Sequence, residues 1–111
     1  MNRTQIKKII KIANASDWSV THKNGEFEFQ KYSPAGQDFN MSISADTLYE
    51  LKDQLYERHR DYDCSEEAYI WLDETGHGKN GAPYDMKDLY ADMEACKEMI
   101  EELAENIRAA A

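Results

Sequence analysis

The sequence predicts a single α+β domain with an N-terminal helix, a three-stranded antiparallel sheet, two short helices and a long C-terminal helix. Apolar and polar residues alternate with a period of two over residues 18–43, which is typical of strands with one buried face. The pair Asn24 and Gly25 divides this region and is a strong signal for a two-residue hairpin. After residue 46 the apolar residues take helical spacing instead. The length of 111 residues corresponds to one domain, residues 1–111.

The first helix is predicted over residues 4–13, where three isoleucines form one apolar face. Thr4 is the expected N-cap, because its hydroxyl can accept a hydrogen bond from a backbone N–H of the first turn. Asn14 and Ser16 follow the last periodic residue and are expected to end the helix.

Three antiparallel strands follow, and the first hairpin has a register that the sequence determines. We expect these strands at residues 18–22, 26–32 and 39–43. A two-residue loop at the Asn-Gly pair places His22 opposite Phe27 and Val20 opposite Phe29. The large apolar side chains of both strands then share one face, so the turn and the pattern agree. That face must be covered by helices.

Two short helices are predicted after the sheet. Thr47 and Glu50 have the spacing of a capping box at the start of the first. The apolar stripe of this helix consists of Leu48, Leu51 and Leu55. Ser65 is the expected N-cap of the next helix, which contains Ala68, Tyr69, Trp71 and Leu72. Residues 76–83 then form a loop, since they contain three glycines and a proline.

The last helix is predicted over residues 85–107, and its apolar residues repeat with heptad spacing. They are Met86, Leu89, Met93, Cys96, Ile100, Leu103 and Ile107. This heptad stripe has two interpretations: it packs on the sheet and the other helices, or it pairs with a second copy of the chain in a homodimer. The alanines at 109–111 are expected to fray.

Charge is distributed unevenly along the chain. Residues 1–45 carry six Lys or Arg against four Asp or Glu, whereas residues 46–111 carry seven against eighteen. A field of this sign repels nucleic acid and anionic membranes and attracts basic protein surfaces. The acidic half either forms ordinary solvated helix faces or imitates the charge of DNA inside a Lys/Arg-rich groove. Without the apolar run of a signal peptide or membrane span, the chain is expected to be cytoplasmic.

No catalytic, cofactor or metal motif fits the context it requires, so we expect a protein without enzymatic activity, cofactor or metal. Residues 76–81 match G-x-G-x-x-G, but a phosphate-binding loop needs a βαβ unit, which the order of elements excludes. Residues 61–72 begin like a calcium loop, yet Glu66 occupies the position that needs glycine. Cys64 and Cys96 have no CxxC context and are expected to be reduced thiols.

Several stretches of the sequence resemble the small acidic anti-CRISPR proteins of phages, which block type II CRISPR effector nucleases. The similar stretches are residues 4–12, DWSV at 17–20 and YDCSEEAY at 62–69, and the resemblance covers roughly residues 4–75. It implies a helix, a three-stranded antiparallel sheet and further helices, with an acidic surface that imitates DNA. Glu66 and Glu67, followed by Tyr69, match that pattern, and so does Asp38 between the second and third strands. Residues 71–86 separately resemble a stretch in small proteins of bacterial mobile elements.

The leading hypothesis is a non-enzymatic inhibitor that occupies the basic nucleic-acid-binding groove of a type II CRISPR effector nuclease in a bacterial cell, without binding nucleic acid itself. The acids expected to replace phosphates are Asp38, Asp61, Asp63, Glu66, Glu67, Asp73 and Glu74. The loop at 76–83 is expected to present His77, Lys79 and Asn80 to a partner. One alternative is an acidic interaction or homodimerisation module of a mobile element that uses the heptad helix and this loop. Another is an enzyme built around His77.

Overall fold

The computed structural model describes residues 1–110 and confirms the predicted α+β architecture. Its elements within this range are α1 (Arg3–Asn14), β1 (Ser19–Lys23), β2 (Glu26–Tyr32), β3 (Asp38–Ser44), α2 (Leu48–Asp61), α3 (Cys64–Ile70) and α4 (Met86–Ala110). Ala111, the last of the alanines expected to fray, lies outside the described residues. None of the helices described in this range has both the length and the apolar character needed to cross a membrane.

The three strands form one antiparallel sheet in the order β1-β2-β3. Val20 pairs with Phe29 and His22 with Phe27, so the predicted register is confirmed. The hairpin turn uses positive backbone angles, with φ of 53° at Asn24 and 77° at Gly25. Asparagine and glycine tolerate this conformation, and such turns match the twist of the flanking strands.

One face of the sheet forms the main core with α1, α2 and α4. The sheet contributes large side chains that are almost completely buried, namely Phe27, Phe29, Met41 and Ile43. The helices cover them with Ile9 and Ala13 from α1, Leu51 and Leu55 from α2, and Cys96, Met99, Ile100, Leu103 and Ile107 from α4. A smaller cluster of Ala68, Leu89 and Met93 joins α3 to the start of α4. Burial of these apolar surfaces is the main force that holds the helices on the sheet.

The heptad stripe of α4 packs inside the chain, as the first of its two interpretations predicts. Met93, Cys96 and Ile100 are each at most 3% exposed, and Met86 alone among the seven stripe residues is clearly exposed, at 39%. The surface that a second copy would need is therefore already occupied by the protein's own core. A homodimer built on this stripe, which is one form of the mobile-element alternative, would have to displace that core.

The structure corrects two of the predicted helix caps. Asn2, and not Thr4, caps α1: its side chain accepts a hydrogen bond from the Gln5 N–H at 2.8 Å, and the Gln5 side chain accepts one from the Asn2 N–H at 3.1 Å. Asp63, and not Ser65, caps α3 by accepting from the N–H groups of Ser65 and Glu66. A carboxylate or amide oxygen placed just ahead of the helix satisfies the free N–H groups of the first turn.

Two further predictions about α2 and α3 are only partly met. Thr47 caps α2 as predicted and accepts from the Glu50 N–H at 3.1 Å, but the Glu50 carboxylate accepts from the Asp46 N–H. The helix α3 ends at Ile70, so Trp71 and Leu72 lie outside it. They are held instead by the following loop, where the Lys79 N–H donates to the Trp71 carbonyl at 2.9 Å.

Candidate functional site

A groove of about 480 Å³ opens between the start of β3, the corner joining α2 to α3, and the middle of α4. Three acids from three different elements line this acidic groove: Asp38, Asp61 and Glu67. Three aromatic side chains also line it: Phe39, Tyr62 and Trp71. Met41, Met93, Cys96 and Ile100 add apolar surface to the lining, and Gln37, Asn40 and Arg58 add polar groups. The groove therefore combines carboxylates with a largely apolar wall, a combination suited to a cation that carries apolar groups.

Two of the three acids lie at the end of an element, and the third lies within a short helix. Asp38 is the first residue of β3, and its carboxylate accepts hydrogen bonds from Gln30 at 2.8 Å and Asn40 at 3.0 Å. Asp61 is the last residue of α2, whereas Glu67 lies within the short helix α3. The corner between these two helices turns Glu67 back towards the sheet, so sequence-distant acids reach one groove.

Two aromatic residues of the groove, Phe39 and Tyr62, are fixed by contacts with neighbouring residues. Phe39 meets Tyr62 edge-on with ring centroids 6.1 Å apart, and it meets the buried Trp18 in the same manner at 6.1 Å. The Tyr62 hydroxyl lies 3.4 Å from the Met93 sulfur, and Lys97 donates to the Tyr62 carbonyl at 3.0 Å. Such packing holds the wall in place before any ligand binds, which lowers the entropic cost of binding.

The three acids of the groove differ in how their negative charge is compensated. Asp61 is exposed and forms a two-point ion pair with its neighbour Arg60, with the closer atoms 2.9 Å apart, and this lowers the pKa of Asp61. Asp38 is bound only by neutral amides. Burial, together with the charges of Glu66 and Asp63, raises the pKa of Glu67. Among the three acids, Glu67 is therefore the one whose negative charge a bound cation would stabilise most.

Neither Tyr62 nor Cys96 in the groove is suited to act as a nucleophile. Burial raises the pKa of the Tyr62 hydroxyl far above its ordinary value. Burial, reinforced by the charge of Asp92, raises the pKa of the Cys96 thiol to about 12. A reactive cysteine needs the opposite shift, which exposes a thiolate at neutral pH.

Two of the acids expected to replace phosphates are engaged in local structure outside the groove. Asp63 caps α3 through hydrogen bonds to two N–H groups. Asp73 accepts from the Thr75 hydroxyl at 2.6 Å and from the N–H groups of Thr75 and His77, and these bonds lower the pKa of Asp73. Asp63 therefore stabilises the start of a helix, and Asp73 stabilises a turn. Glu66 and Glu74 are exposed.

The loop between α3 and α4 is structured and lies apart from the groove lining, except through Trp71. The His77 ring stacks on Tyr84 with centroids 4.0 Å apart and planes 7° from parallel. Asn80, with φ of 55°, and the following Gly81 form a tight turn closed by a hydrogen bond from Ala82 N–H to the Lys79 carbonyl at 3.1 Å. Lys79 and Asn80 are exposed and remain predicted partner contacts.

The aromatic wall is the part of the site that the sequence prediction missed. Phe39 and Tyr62 directly follow Asp38 and Asp61, and Trp71 lies four residues after Glu67. Adjacent residues of a helix or strand do not face each other, so the spacing of the first two pairs does not predict that their side chains meet. The groove therefore arises from the packing of the elements and not from a local pairing in the sequence. The charge pattern alone could not separate Glu67, which faces the groove, from Asp73, which holds a turn.

The described part of the chain provides no metal centre. Among residues 1–110, no group of three His, Cys, Asp or Glu side chains is arranged to hold a metal ion. Cys64 and Cys96 are free thiols. None of the family models, curated proteins or solved structures compared with this chain matches it. The groove and the charge of its surroundings are therefore the basis for a functional proposal.

Proposed function

We propose that this chain is a non-enzymatic acidic inhibitor that occupies the basic nucleic-acid-binding groove of a partner protein in a bacterial cell. The observation that carries the proposal is the convergence of Asp38, Asp61 and Glu67 on one groove from three separate elements. A net charge of −9 strengthens the attraction of this surface for Lys- and Arg-rich partners.

The physical basis is competition with nucleic acid for the same cations. Proteins that bind DNA neutralise a dense line of phosphates with Lys and Arg, and the release of counterions drives that association. Carboxylates on a rigid fold pair with the same side chains and gain from the same effect. A partner whose cations are engaged in this way cannot bind its nucleic acid at the same surface.

The partner that we propose is a type II CRISPR effector nuclease. This choice rests on the resemblance of residues 4–75 to anti-CRISPR proteins. Such nucleases hold nucleic acid in positively charged channels, which suit an acidic competitor. Binding at such a channel requires no chemistry from the inhibitor, in keeping with the non-enzymatic role proposed here.

The decisive experiment compares two triple charge reversals in a DNA-cleavage assay with such a nuclease. The first variant carries Asp38→Lys, Glu66→Lys and Glu67→Lys at and beside the groove. The matched control carries Glu98→Lys, Glu102→Lys and Glu105→Lys, three exposed acids of α4. Both variants change the net charge equally, so only the position differs. We expect the groove variant to lose inhibition and the control to retain most of it.

Equal inhibition by both variants and the native chain would refute groove binding by these acids. A salt series adds an independent measurement, since ionic contacts weaken steeply as salt rises. The native chain should retain the purified nuclease on an affinity column at low salt and release it at high salt. Retention that is independent of salt would contradict the electrostatic mechanism.

A further inference from the structure

The acidic groove has a feature that charge imitation of DNA alone does not require, namely its aromatic wall. Phosphate surrogates work best as exposed carboxylates along a surface, whereas here the apolar rings of Tyr62 and Trp71 line the same cavity as Glu67. The volume of about 480 Å³ lies within the range of about 300–1,000 Å³ typical of sites that enclose a ligand. The groove is thus shaped to enclose a side chain as well as to attract charge.

The charges at the groove specify a cationic occupant. Asp38, Asp61 and Glu67 line it together with a single cation, Arg58. The Arg58 guanidinium donates to the Ser42 carbonyl at 2.8 Å, so part of it is engaged with the sheet. Within residues 1–110, Arg60 forms an ion pair with Asp61, and the His59 Nε2 lies 2.9 Å from a carboxylate oxygen of Glu101. Asp38 and Glu67 therefore form no ion pair within the described residues, although Arg58 lines the same groove.

We propose that the acidic groove binds one arginine side chain of the partner, with its guanidinium between the Glu67 carboxylate and the ring of Trp71. This inference rests on the proposed function, since it assigns the arginine to the basic partner described above. The guanidinium forms hydrogen bonds with the carboxylate, and its flat face stacks on the indole. The apolar stem of the arginine packs against Tyr62 and Phe39.

Arginine fits this arrangement better than lysine for geometric reasons. A guanidinium is planar and can bind a carboxylate through two parallel hydrogen bonds while it stacks on an aromatic ring. An ammonium is a compact, strongly hydrated point charge that loses more hydration on entering such a groove. The groove therefore adds selection for one kind of cation to the general attraction of the acidic surface.

The test uses the full chain and two short peptides that are identical except for a single arginine or lysine. The chain has two tryptophans: Trp18 is 2% exposed in the core, whereas Trp71 lines the groove. Their indole N–H signals are separate reporters in a nuclear magnetic resonance titration, and a Trp71→Phe variant assigns them. We expect the arginine peptide to shift the Trp71 signal until the site is saturated. The affinity of the lysine peptide should be lower by a factor of at least about three.

Charge-neutral substitutions then separate the groove from the general field. Glu67→Gln keeps the shape of the side chain and should weaken binding of the arginine peptide about tenfold, as loss of a charge-assisted hydrogen bond does. Glu102→Gln makes the same charge change at an exposed position on α4 and should leave binding within about twofold. An unmoved Trp71 signal, equal affinity for both peptides, or equal loss in the two variants would each overturn the arginine site.

The outcomes also distinguish this inference from the proposed function. If the chain inhibits the nuclease and Glu67→Gln inhibits equally well, the arginine site is wrong and the acidic competitor stands. If the arginine peptide binds with the expected selectivity but the nuclease is neither bound nor inhibited, the groove is an arginine site for a different basic partner.

Discussion

At the scale of single residues, the most constrained carboxylate is Asp92, which the charge pattern alone would assign to the acidic surface. It is 4% exposed on α4 and accepts hydrogen bonds from the Ser33 hydroxyl at 2.6 Å and the Ala35 N–H at 3.0 Å. The Gln37 side chain is its third donor. Asp92 thereby ties α4 to the turn between β2 and β3, and this turn leads directly to Asp38.

Asp92→Ala should lower the free energy of unfolding by about 2–4 kcal/mol, because it leaves buried donors without an acceptor. Urea denaturation monitored by circular dichroism measures this loss. Glu94→Ala, on the same helix but exposed, serves as the control and should change stability by less than about 0.5 kcal/mol. Equal effects of both substitutions would show that the Asp92 network adds nothing to stability.

The negative charge of Glu67 should lower the stability of the free protein, and a bound cation should reverse that effect. Its pKa in the folded chain is raised above 4.5, mainly by burial and then by Glu66 and Asp63. Stability contributed by the protonated carboxyl is fully present below pH 4.5 and is lost as the pH rises through the raised value. Glu67→Gln should therefore stabilise the free chain at pH 7, by no more than a few tenths of a kcal/mol, because solvent screens the charge of this partly exposed side chain.

The pH dependence provides the check on this prediction. Thermal unfolding of both proteins at pH 7 and below pH 4.5 should show the advantage of Glu67→Gln disappearing in acid, where Glu67 itself is neutral. Glu74→Gln, exposed in the loop, should show no such trend. A Glu67→Gln variant that is less stable than the native chain at pH 7 would contradict the destabilising effect assigned to the Glu67 charge.

At the scale of elements, sequence patterns predict the type of element better than its ends. The alternation in β2 and the Asn24 and Gly25 turn determine both strands and register, because a slip by one residue would expose the apolar face. At α1, by contrast, Asn2 and Thr4 are both chemically suitable caps. Gln5 lies three residues after Asn2 and completes the reciprocal bonds, which decides between them.

The loop between α3 and α4 depends on Gly78 for a close approach of two backbone segments. A methyl group at Gly78 would lie 1.9 Å from the Pro83 carbonyl oxygen. Gly78→Ala should therefore separate the two sides of the loop and break the bond from Gly78 N–H to the Tyr84 carbonyl, which measures 3.0 Å. Hydrogen exchange should show faster exchange across the loop, with a loss of about 1–3 kcal/mol in stability.

Gly76→Ala is the matched control for this prediction, since it places the same methyl group in the same loop. Gly76 has φ of +84°, but nothing lies within 4 Å of the added carbon. Its cost should be about 1–2 kcal/mol of backbone strain, without faster exchange at the Gly78 and Lys79 N–H groups. Slow exchange throughout the loop of Gly78→Ala would show that the close approach is not essential.

At the scale of the whole molecule, the charge split corresponds to a division of roles. The near-neutral N-terminal part builds α1 and the sheet, while the strongly acidic part supplies α2, α3 and α4. The acidic groove lies where the two parts meet, because Asp38 comes from the first and Asp61 and Glu67 from the second. A sequence pattern can predict each part, but the groove depends on how the α2–α3 corner approaches β3.

The burial of the heptad stripe predicts how the molecule responds to a charge inside it. Ile100→Asp places a carboxylate at a position that is 1% exposed and should cost more than about 4 kcal/mol, so that the chain loses cooperative folding. Circular dichroism and sedimentation measure fold and mass together. Ile70→Asp makes the same change at a position that is 55% exposed and should cost less than about 1 kcal/mol.

The homodimer interpretation makes the opposite prediction for this substitution. If the stripe were an interface between copies, Ile100→Asp would convert a dimer into a folded monomer. A variant that retains its helical spectrum and halves its sedimentation mass would therefore refute the assignment of the stripe to the core.

The contribution of α4 to the main core has a consequence for synthesis of the chain. The apolar face of the sheet is complete once β3 has been made, but its cover includes Ile100, Leu103 and Ile107 near the opposite end of the sequence. Until those residues leave the ribosome, α1 and α2 alone can cover Phe27, Phe29 and Ile43, so the core is incomplete. Exposed apolar strands in incomplete chains favour aggregation, so we expect chains truncated before α4 to aggregate.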